Sequence, residues 1–398
     1  VFACAFALLL VAEPLARSNP SSALWTIPCI LFASIVIAWG AEAAQFFMAQ
    51  GFALAILAWM QTLPEFAVEA VLAWRQQTDL LLAGLTGALR LLTGLAWPMI
   101  YLTAAVVHRR RTGEPLRYIG LDKHQSVEVA GLLVALAYGA IIWWKGNLQV
   151  VDACVLVAIY VGYLFLLTKL PPEKGEGIED LEAIPRRIAL APRARRNLAI
   201  AACFITGGAL IYFTAEPFLG SLVAVALALG IPSFQVIQWF APVLSEFPEL
   251  LSTFYFARQD EKAAIALMNI TSSNINQWTL LVAILPVVFS LSRHAFSAIV
   301  FTPDQQVELL LTVAQGLVGV VFLINMKFCW WEASAMLVLF GAQFVLPEIW
   351  GEHSRIWVAY ILLGWSAAAV LKLLLRREVP PAFRSFAETW RSHLNFKS

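Results

Sequence analysis

The sequence predicts an all-α polytopic membrane protein: two five-helix repeats of inverted topology, each with a broken helix, plus extra terminal helices. Three observations carry that expectation. The composition is strongly apolar, membrane-length runs fall on both sides of a charged linker, and a Pro-Glu step recurs in the two halves.

Composition sets the class. Of 398 residues, 60% are apolar and 13% charged, and the mean hydropathy is +0.75. That exceeds what a soluble core of this size needs and suits helices surrounded by lipid. The net charge is +1 and the basic residues sit between apolar runs, so there is no electrostatic footprint for nucleic acid, which is excluded as a partner. The five cysteines, Cys4, Cys29, Cys154, Cys203 and Cys329, form no CxxC pair and read as core-filling thiols. The five histidines, His108, His124, His294, His353 and His393, are scattered at loop or tail positions without ligand spacing, so neither zinc nor haem is expected. No GxxxxGK[ST] loop is present, and a Ser-His-Asp arrangement inside the membrane has no histidine to use. The chain is therefore not expected to be an enzyme or to hold a cofactor, and ATP-driven transport would require a partner subunit.

Apolar runs of spanning length fall at about 23–40, 46–74, 80–107, 127–145 and 149–170, then at 197–214, 221–258, 263–292, 305–325, 330–347 and 356–376. Residues 1–22 hold a shorter apolar segment, which reads equally as a shortened helix or a signal-like stretch. The Pro-, Gly- and charge-rich stretch 171–196 is the linker, leaving 23–170 as the first repeat, 197–376 as the second with a final helix, and 377–398 as a tail. Arginine and lysine cluster in loop 108–126, in 171–196 and at Arg376 and Arg377. Even numbers of spans separate these places, so all can face the cytoplasm of a bacterial-type inner membrane. Five spans before the linker is an odd number, so the second set enters from the opposite side, as in an inverted repeat. Trp143, Trp144, Trp330 and Trp331 beside Lys145 and Lys327 read as interface belts.

The chemistry lies in MQTLPEFAVEAVLAW, residues 60–74, and APVLSEFPELLSTF, residues 241–254, where Pro64 precedes Glu65 as Pro248 precedes Glu249. A proline inside a helix removes a backbone donor, and such breaks are tolerated in a membrane where they line a polar cavity. Paired breaks in two halves point to a transporter binding site. Glu65 and Glu69 are one helical turn apart, as are Glu246 and Glu249, so each pair shares a face. An acidic residue at a helix centre costs roughly 2.5–3.5 kcal/mol, so four demand neutralisation by a proton, a cation or a partner. Oxygen donors of this type suit hard cations, with Thr62, Ser245 and freed carbonyls completing a shell.

These motifs resemble the α-repeats of the cation/Ca²⁺ exchanger superfamily, which includes Na⁺/Ca²⁺ exchangers, with first motifs like GTSLPE and second motifs like GNxxGSNxxN. The second repeat keeps LSEFPE at 244–249 and MNITSSNINQ at 268–277, while the first keeps MQTLPE at 60–65 and then reads AGLTGALRLL at 83–92. The resemblance implies a five-plus-five inverted repeat and secondary cation antiport, Na⁺/Ca²⁺ or cation/H⁺ exchange, by alternating access. It nominates Thr62, Glu65, Ser245, Glu249 and Ser273 as ion ligands, with Gln277 where Asn or Asp is usual; Glu246, Ser272 and Asn274 are added as candidates. Departures are Gln at 61, Glu at 246, and Ala88 and Leu92 where Ser and Asn would coordinate.

Arg90, on the helix that lacks those ligands, must pair with a carboxylate, and Glu65, Glu246 and Glu249 are the expected choices. Two readings follow. Either the carboxylates bind a transported Na⁺, Ca²⁺ or H⁺, or they neutralise Arg90 in a transport-inactive homologue serving as a subunit of a membrane assembly. Glu42, Glu128, Glu308 and Glu332 fall near span ends and are assigned interfacial positions.

Overall fold

A computed structural model describes residues 19–47, 62–170, 178, 181–259, 262–351 and 353–394. The short apolar segment expected within 1–22 lies largely outside these residues, as do residues 48–61 of the run expected over 46–74. Among the described residues, nine helices are long and apolar enough to cross a membrane. The chain forms two compact units, one of Val1–Gly87 with Pro171–Glu249 and one of Ala88–Leu170 with Leu250–Ser398, so each unit draws on both repeats.

The first unit contains α1 (Ala23–Ala44), α2 (Leu63–Trp74), the start of α3 (Thr78–Leu91), α7 (Ala183–Ala189), α8 (Arg193–Leu229) and α9 (Ser233–Ser245). Its core is the α1/α8 pair, where Ala33 and Ile37 meet Leu210 and Ile211. Polar residues join the same two helices, with Thr26 and Ser221 hydroxyls 2.9 Å apart. Side-chain hydrogen bonding of this kind, beside close apolar packing, is how helices associate where lipid is as apolar as leucine. The sequence suggested separate runs at 197–214 and 221–258, but α8 passes straight through Pro217. One proline deletes a single backbone bond, which a membrane helix tolerates, and Glu216 beside it is paired with Arg75. The actual break in that stretch comes between Leu229 and Ser233, at Gly230 (φ +69°), a left-handed position that glycine adopts without strain. The linker is also partly ordered, since α7 lies inside 171–196.

The second unit holds α4 (Trp97–Thr112), α5 (Ser126–Lys145), α6 (Val150–Leu167), α11 (Ala263–Asn276), α12 (Val282–Ser292), α13 (Pro303–Leu323), α14 (Trp330–Trp350), α15 (Ser354–Arg376) and α16 (Pro381–Thr389). α10 (Phe247–Ala257) follows α9 and begins in the first unit. Two small antiparallel sheets tie the repeats together. β1 (Tyr118–Gly120) pairs with β4 (Lys327–Cys329), and β2 (Asn147–Leu148) pairs with β3 (Ile299–Val300). β1 lies between the third and fourth spans of the first repeat and β4 between the fourth and fifth of the second; the other sheet has the reverse assignment, as inverted repeats require.

Helix starts repeat at a constant offset. Gln125 Oε1 accepts the Asp122 N–H and Gln305 Oε1 the Thr302 N–H, both at 2.9 Å. Asp152 Oδ2 accepts the Gln149 N–H and Glu332 Oε2 the Cys329 N–H, both at 2.7 Å. Each satisfies an orphan donor at a helix N-terminus, the same solution used twice in each repeat. The tail is not loose: α16 packs on α5, the Ala382 N–H donates to the Ile324 carbonyl at 3.0 Å, and Lys123 Nζ meets Glu388 Oε2 at 2.8 Å. That hydrogen bond and the lysine charge hold the exposed Glu388 carboxyl below its usual range.

Candidate functional site

Two Pro-Glu turns have the same backbone. Thr62 (φ −90°, ψ 2°) precedes α2, and Glu246 (φ −91°, ψ −1°) separates α9 from α10. Both residues sit two positions before the proline, in the sparsely populated bridge region that turns and active-site residues favour. Pro64 and Pro248 then open α2 and α10, a position where the missing N–H is harmless. Glu65 and Glu249 follow in the first turn of their helices, near the positive end of the helix dipole. The sequence thus makes each glutamate the first acidic group of a new helix inside an apolar region.

Thr62, Glu65, Glu69, Ser245, Glu246 and Glu249 all belong to the first unit, and none exposes more than 5% of its surface. Glu69 lies within Coulombic range of Glu65. Its Oε1 fills the space a side chain at Gly84 would need, while its buried Oε2 meets no donor among the described residues. Gly87, one turn further on, abuts the Gln238 carbonyl of α9 so closely that a Cβ would overlap it. Gln238 Nε2 is 3.3 Å from Thr86 Oγ1. The small face of α3 therefore exists to admit a carboxylate and a neighbouring backbone. Glu69, expected from its spacing to share a face with Glu65, is as buried as the Pro-Glu glutamates.

The remaining sequence candidates, Ser272, Ser273, Asn274, Gln277 and Arg90, belong to the second unit. Asn274 Nδ2 donates to the carbonyl of Leu89, the residue at the matching place of the first repeat, at 3.1 Å. Asn274 Oδ1 is buried with no hydrogen-bond donor among the described residues. Ser272 accepts a hydrogen bond from the Tyr163 hydroxyl at 2.9 Å. Gln277 opens a π-helical turn, Gln277–Leu281, matched in the first repeat by Leu92–Ala96. Single π turns inside α-helices loosen the backbone ladder and are frequent at functional sites.

Arg90 is paired within the second unit. Its Nη2 lies 2.6 Å from Oε2 of Glu308 on α13, a carboxylate that the sequence reading does not name as a partner. Glu308 also binds Arg355 from the first turn of α15 through its other oxygen. Glu308 is 4% exposed, and the two guanidiniums neutralise its charge inside the protein. Around them runs a closed ring of amides. Arg90 Nη1 donates to Gln343 Oε1 (3.1 Å), Gln343 Nε2 to Gln315 Oε1 (2.6 Å), and Gln315 Nε2 back to the Arg90 carbonyl (2.8 Å) and to Thr93 Oγ1 (2.7 Å). Sequence reasoning missed this network, although Gln315 and Gln343 were visible as polar residues in the middle of apolar runs. Among the described residues no cluster of three or more His, Cys, Asp or Glu has the arrangement of a resident metal site.

Comparison with known proteins bears on this geometry. The sodium/calcium exchanger protein family model matches residues 22–169 and 199–347, one segment in each half. The crystal structure of the H⁺/Ca²⁺ exchanger CAX is similar over 98% of this chain and 99% of its own, at 29% identity and a TM-score of 0.84. The sodium-calcium exchanger NCX_Mj shares the fold over 81% of this chain and 97% of its own, at 19% identity and a TM-score of 0.52. Native YfkE shares it over 91% and 99%, at 13% identity and a TM-score of 0.58. No curated protein sequence matches the chain.

Proposed function

Because the chain belongs to the sodium/calcium exchanger protein family, we propose that it is a secondary antiporter moving Ca²⁺ or a similar hard cation in exchange for protons, by alternating access around Glu65 and Glu249. The observation that carries this reading is the repeated Pro-Glu turn, with equal backbone angles at Thr62 and Glu246 and a buried glutamate opening each following helix. Carboxylate and hydroxyl oxygens from Thr62, Glu65, Ser245, Glu246 and Glu249 suit Ca²⁺, which accepts six to eight oxygen ligands in flexible geometry. Ser273, Asn274 and Gln277 are the matching candidates in the second motif.

Protons are favoured over Na⁺ as the coupling ion for two reasons. Glu69 and Glu246 add carboxylates beyond the Pro-Glu pair, while Ala88 and Leu92 remove oxygen ligands that a second cation would need. The similarity to the H⁺/Ca²⁺ exchanger CAX, which spans nearly the whole chain, points the same way. We place the protein in a bacterial-type inner membrane, with loops 108–126 and 171–196 cytoplasmic.

The test is ⁴⁵Ca²⁺ uptake into proteoliposomes under an imposed pH or Na⁺ gradient. Wild type should take up Ca²⁺ when a proton gradient is imposed, and Glu249→Gln and Glu65→Gln should abolish the flux. Undiminished flux in Glu249→Gln would sink the proposal. A wild type silent under every gradient would favour the rival reading, a transport-inactive scaffold in a membrane assembly, to which Ala88 and Leu92 point.

A further inference from the structure

Buried carboxylates are treated in two ways in this molecule. In the second unit Glu308 is met by the guanidiniums of Arg90 and Arg355. In the first unit Glu69, 2% exposed, has no such counterpart: among the described residues of that unit no arginine or lysine is buried. Arg75, the nearest in sequence, is exposed and paired with Glu216. A carboxylate so placed is costly until a proton or a cation meets it.

The geometry of α2 and α3 fixes where that carboxylate sits. Glu69 lies one turn after Glu65 on the same face of α2, within Coulombic range of it. Side chains on an α-helix lean toward its N-terminus, which carries the Glu69 carboxylate back over the turn that Glu65 occupies. Oε1 fills the slot that Gly84 of α3 leaves open, and buried Oε2 meets no donor among the described residues.

The second repeat has a polar group at the same place. Thr253 follows Glu249 by four residues, as Glu69 follows Glu65, and is 1% exposed. A buried helical threonine commonly donates to the carbonyl one turn back, as Thr86, Thr271, Thr279 and Thr312 do. Thr253 Oγ1 makes no such bond and has no partner among the described residues. One turn beyond the Pro-Glu glutamate, each repeat therefore keeps a buried oxygen that the protein's own described groups do not satisfy.

We propose that Glu69 is a further cation ligand of the first repeat, acting with Glu65 and supplying the second negative charge that a hard divalent cation such as Ca²⁺ requires. The inference rests on the antiporter reading above and adds to it a residue outside the Pro-Glu step. The number of charged ligands is what tunes an oxygen site for Ca²⁺, and two carboxylates on one helix face balance one divalent ion. At the equivalent place the second repeat offers a neutral hydroxyl, so the charge at this position belongs to the first repeat alone.

The test is equilibrium ⁴⁵Ca²⁺ binding to the purified full chain in detergent at fixed pH, beside the flux assay. Glu69→Gln should bind Ca²⁺ about tenfold more weakly than wild type, and the half-saturating Ca²⁺ concentration for flux should rise by the same factor. Glu69→Asp, which restores the charge on a shorter arm, should recover part of the affinity. The melting temperature of Glu69→Gln without Ca²⁺ should not fall, because an amide of the same size replaces a buried charge, and this separates a lost ligand from a lost fold. Glutamine also mimics a protonated acid, so a Glu69 that carries only a proton predicts unchanged Ca²⁺ affinity. Unchanged affinity in Glu69→Gln, with binding lost in Glu65→Gln, overturns this inference and leaves the antiporter reading standing. A wild type that neither binds nor transports Ca²⁺ overturns both.

Discussion

The segments Thr78–Thr112 and Ala263–Ser292 are built alike and carry opposite chemistry. Each is a long helix interrupted by one π-helical turn, at Leu92–Ala96 and at Gln277–Leu281. At matching places the first has Gly87, Ala88, Leu89 and Leu92, and the second has Ser272, Ser273, Asn274 and Gln277. The π turn is present in both segments although Leu92 opens one and Gln277 the other, so it does not depend on a polar side chain at that position. What differs is how the loosened backbone is satisfied. In the first segment the Arg90 carbonyl is taken by Gln315, and the guanidinium closes the ring through Gln343. In the second, an Asn274 oxygen stays buried without a donor among the described residues. In the first segment the backbone carbonyl is met by the protein's own amides, while in the second one buried amide oxygen has no donor among the described residues.

Breaking the first segment gives the largest expected effect. Glu308→Gln leaves Arg90 and Arg355 facing a neutral amide, two like charges in a buried place. Removing one partner of a buried ion pair costs about 3–5 kcal/mol, and detergent thermal unfolding should show a loss of this size. Arg90→Met should be milder, because Glu308 keeps Arg355 and the remaining pair is balanced. If Arg90→Met destabilises as much as Glu308→Gln, charge balance does not govern the cluster.

The architecture was legible because membrane spans need about twenty apolar residues and loops need charge, signals that survive in a single sequence. The Pro-Glu turns were legible for a related reason: a proline beside a glutamate inside an apolar run breaks two rules at once. The pairing of Arg90 with Glu308 was not. Glu308 lies far along the chain, close to a span start, where sequence alone reads it as interfacial; only the packing of α13 against α15 reveals two arginines around one carboxylate. The continuity of α8 through Pro217 was hidden too, because a proline that breaks one membrane helix is absorbed by another.

A second break acts on shape. Gly87 is the counterpart of Ser272, but a Cβ there would overlap the Gln238 carbonyl, whereas Ser272 has room to accept from Tyr163. Gly87→Ala should cost about 1–3 kcal/mol, the range for overpacking, because the obstacle is backbone and cannot swing aside. The matching Ser272→Ala loses one hydrogen bond and should cost about 1 kcal/mol. Equal melting temperatures for the two variants would mean that the halves pack alike here.

The smallest structural change is the sharpest test of the comparison. Gln277→Leu gives the second π turn the residue that Leu92 supplies in the first, exchanging a buried amide for an apolar side chain of similar volume. Stability should change by no more than about 1 kcal/mol, the net worth of a typical hydrogen bond. If the amide oxygen is an ion ligand, ⁴⁵Ca²⁺ flux should still fall about tenfold, since a lost contact worth about 1.4 kcal/mol changes an equilibrium by that factor. A large loss of flux with little loss of stability marks Gln277 as a residue kept for the ion. Flux that merely tracks stability would make the polar residues of the second segment interhelical glue, as the amide ring is in the first.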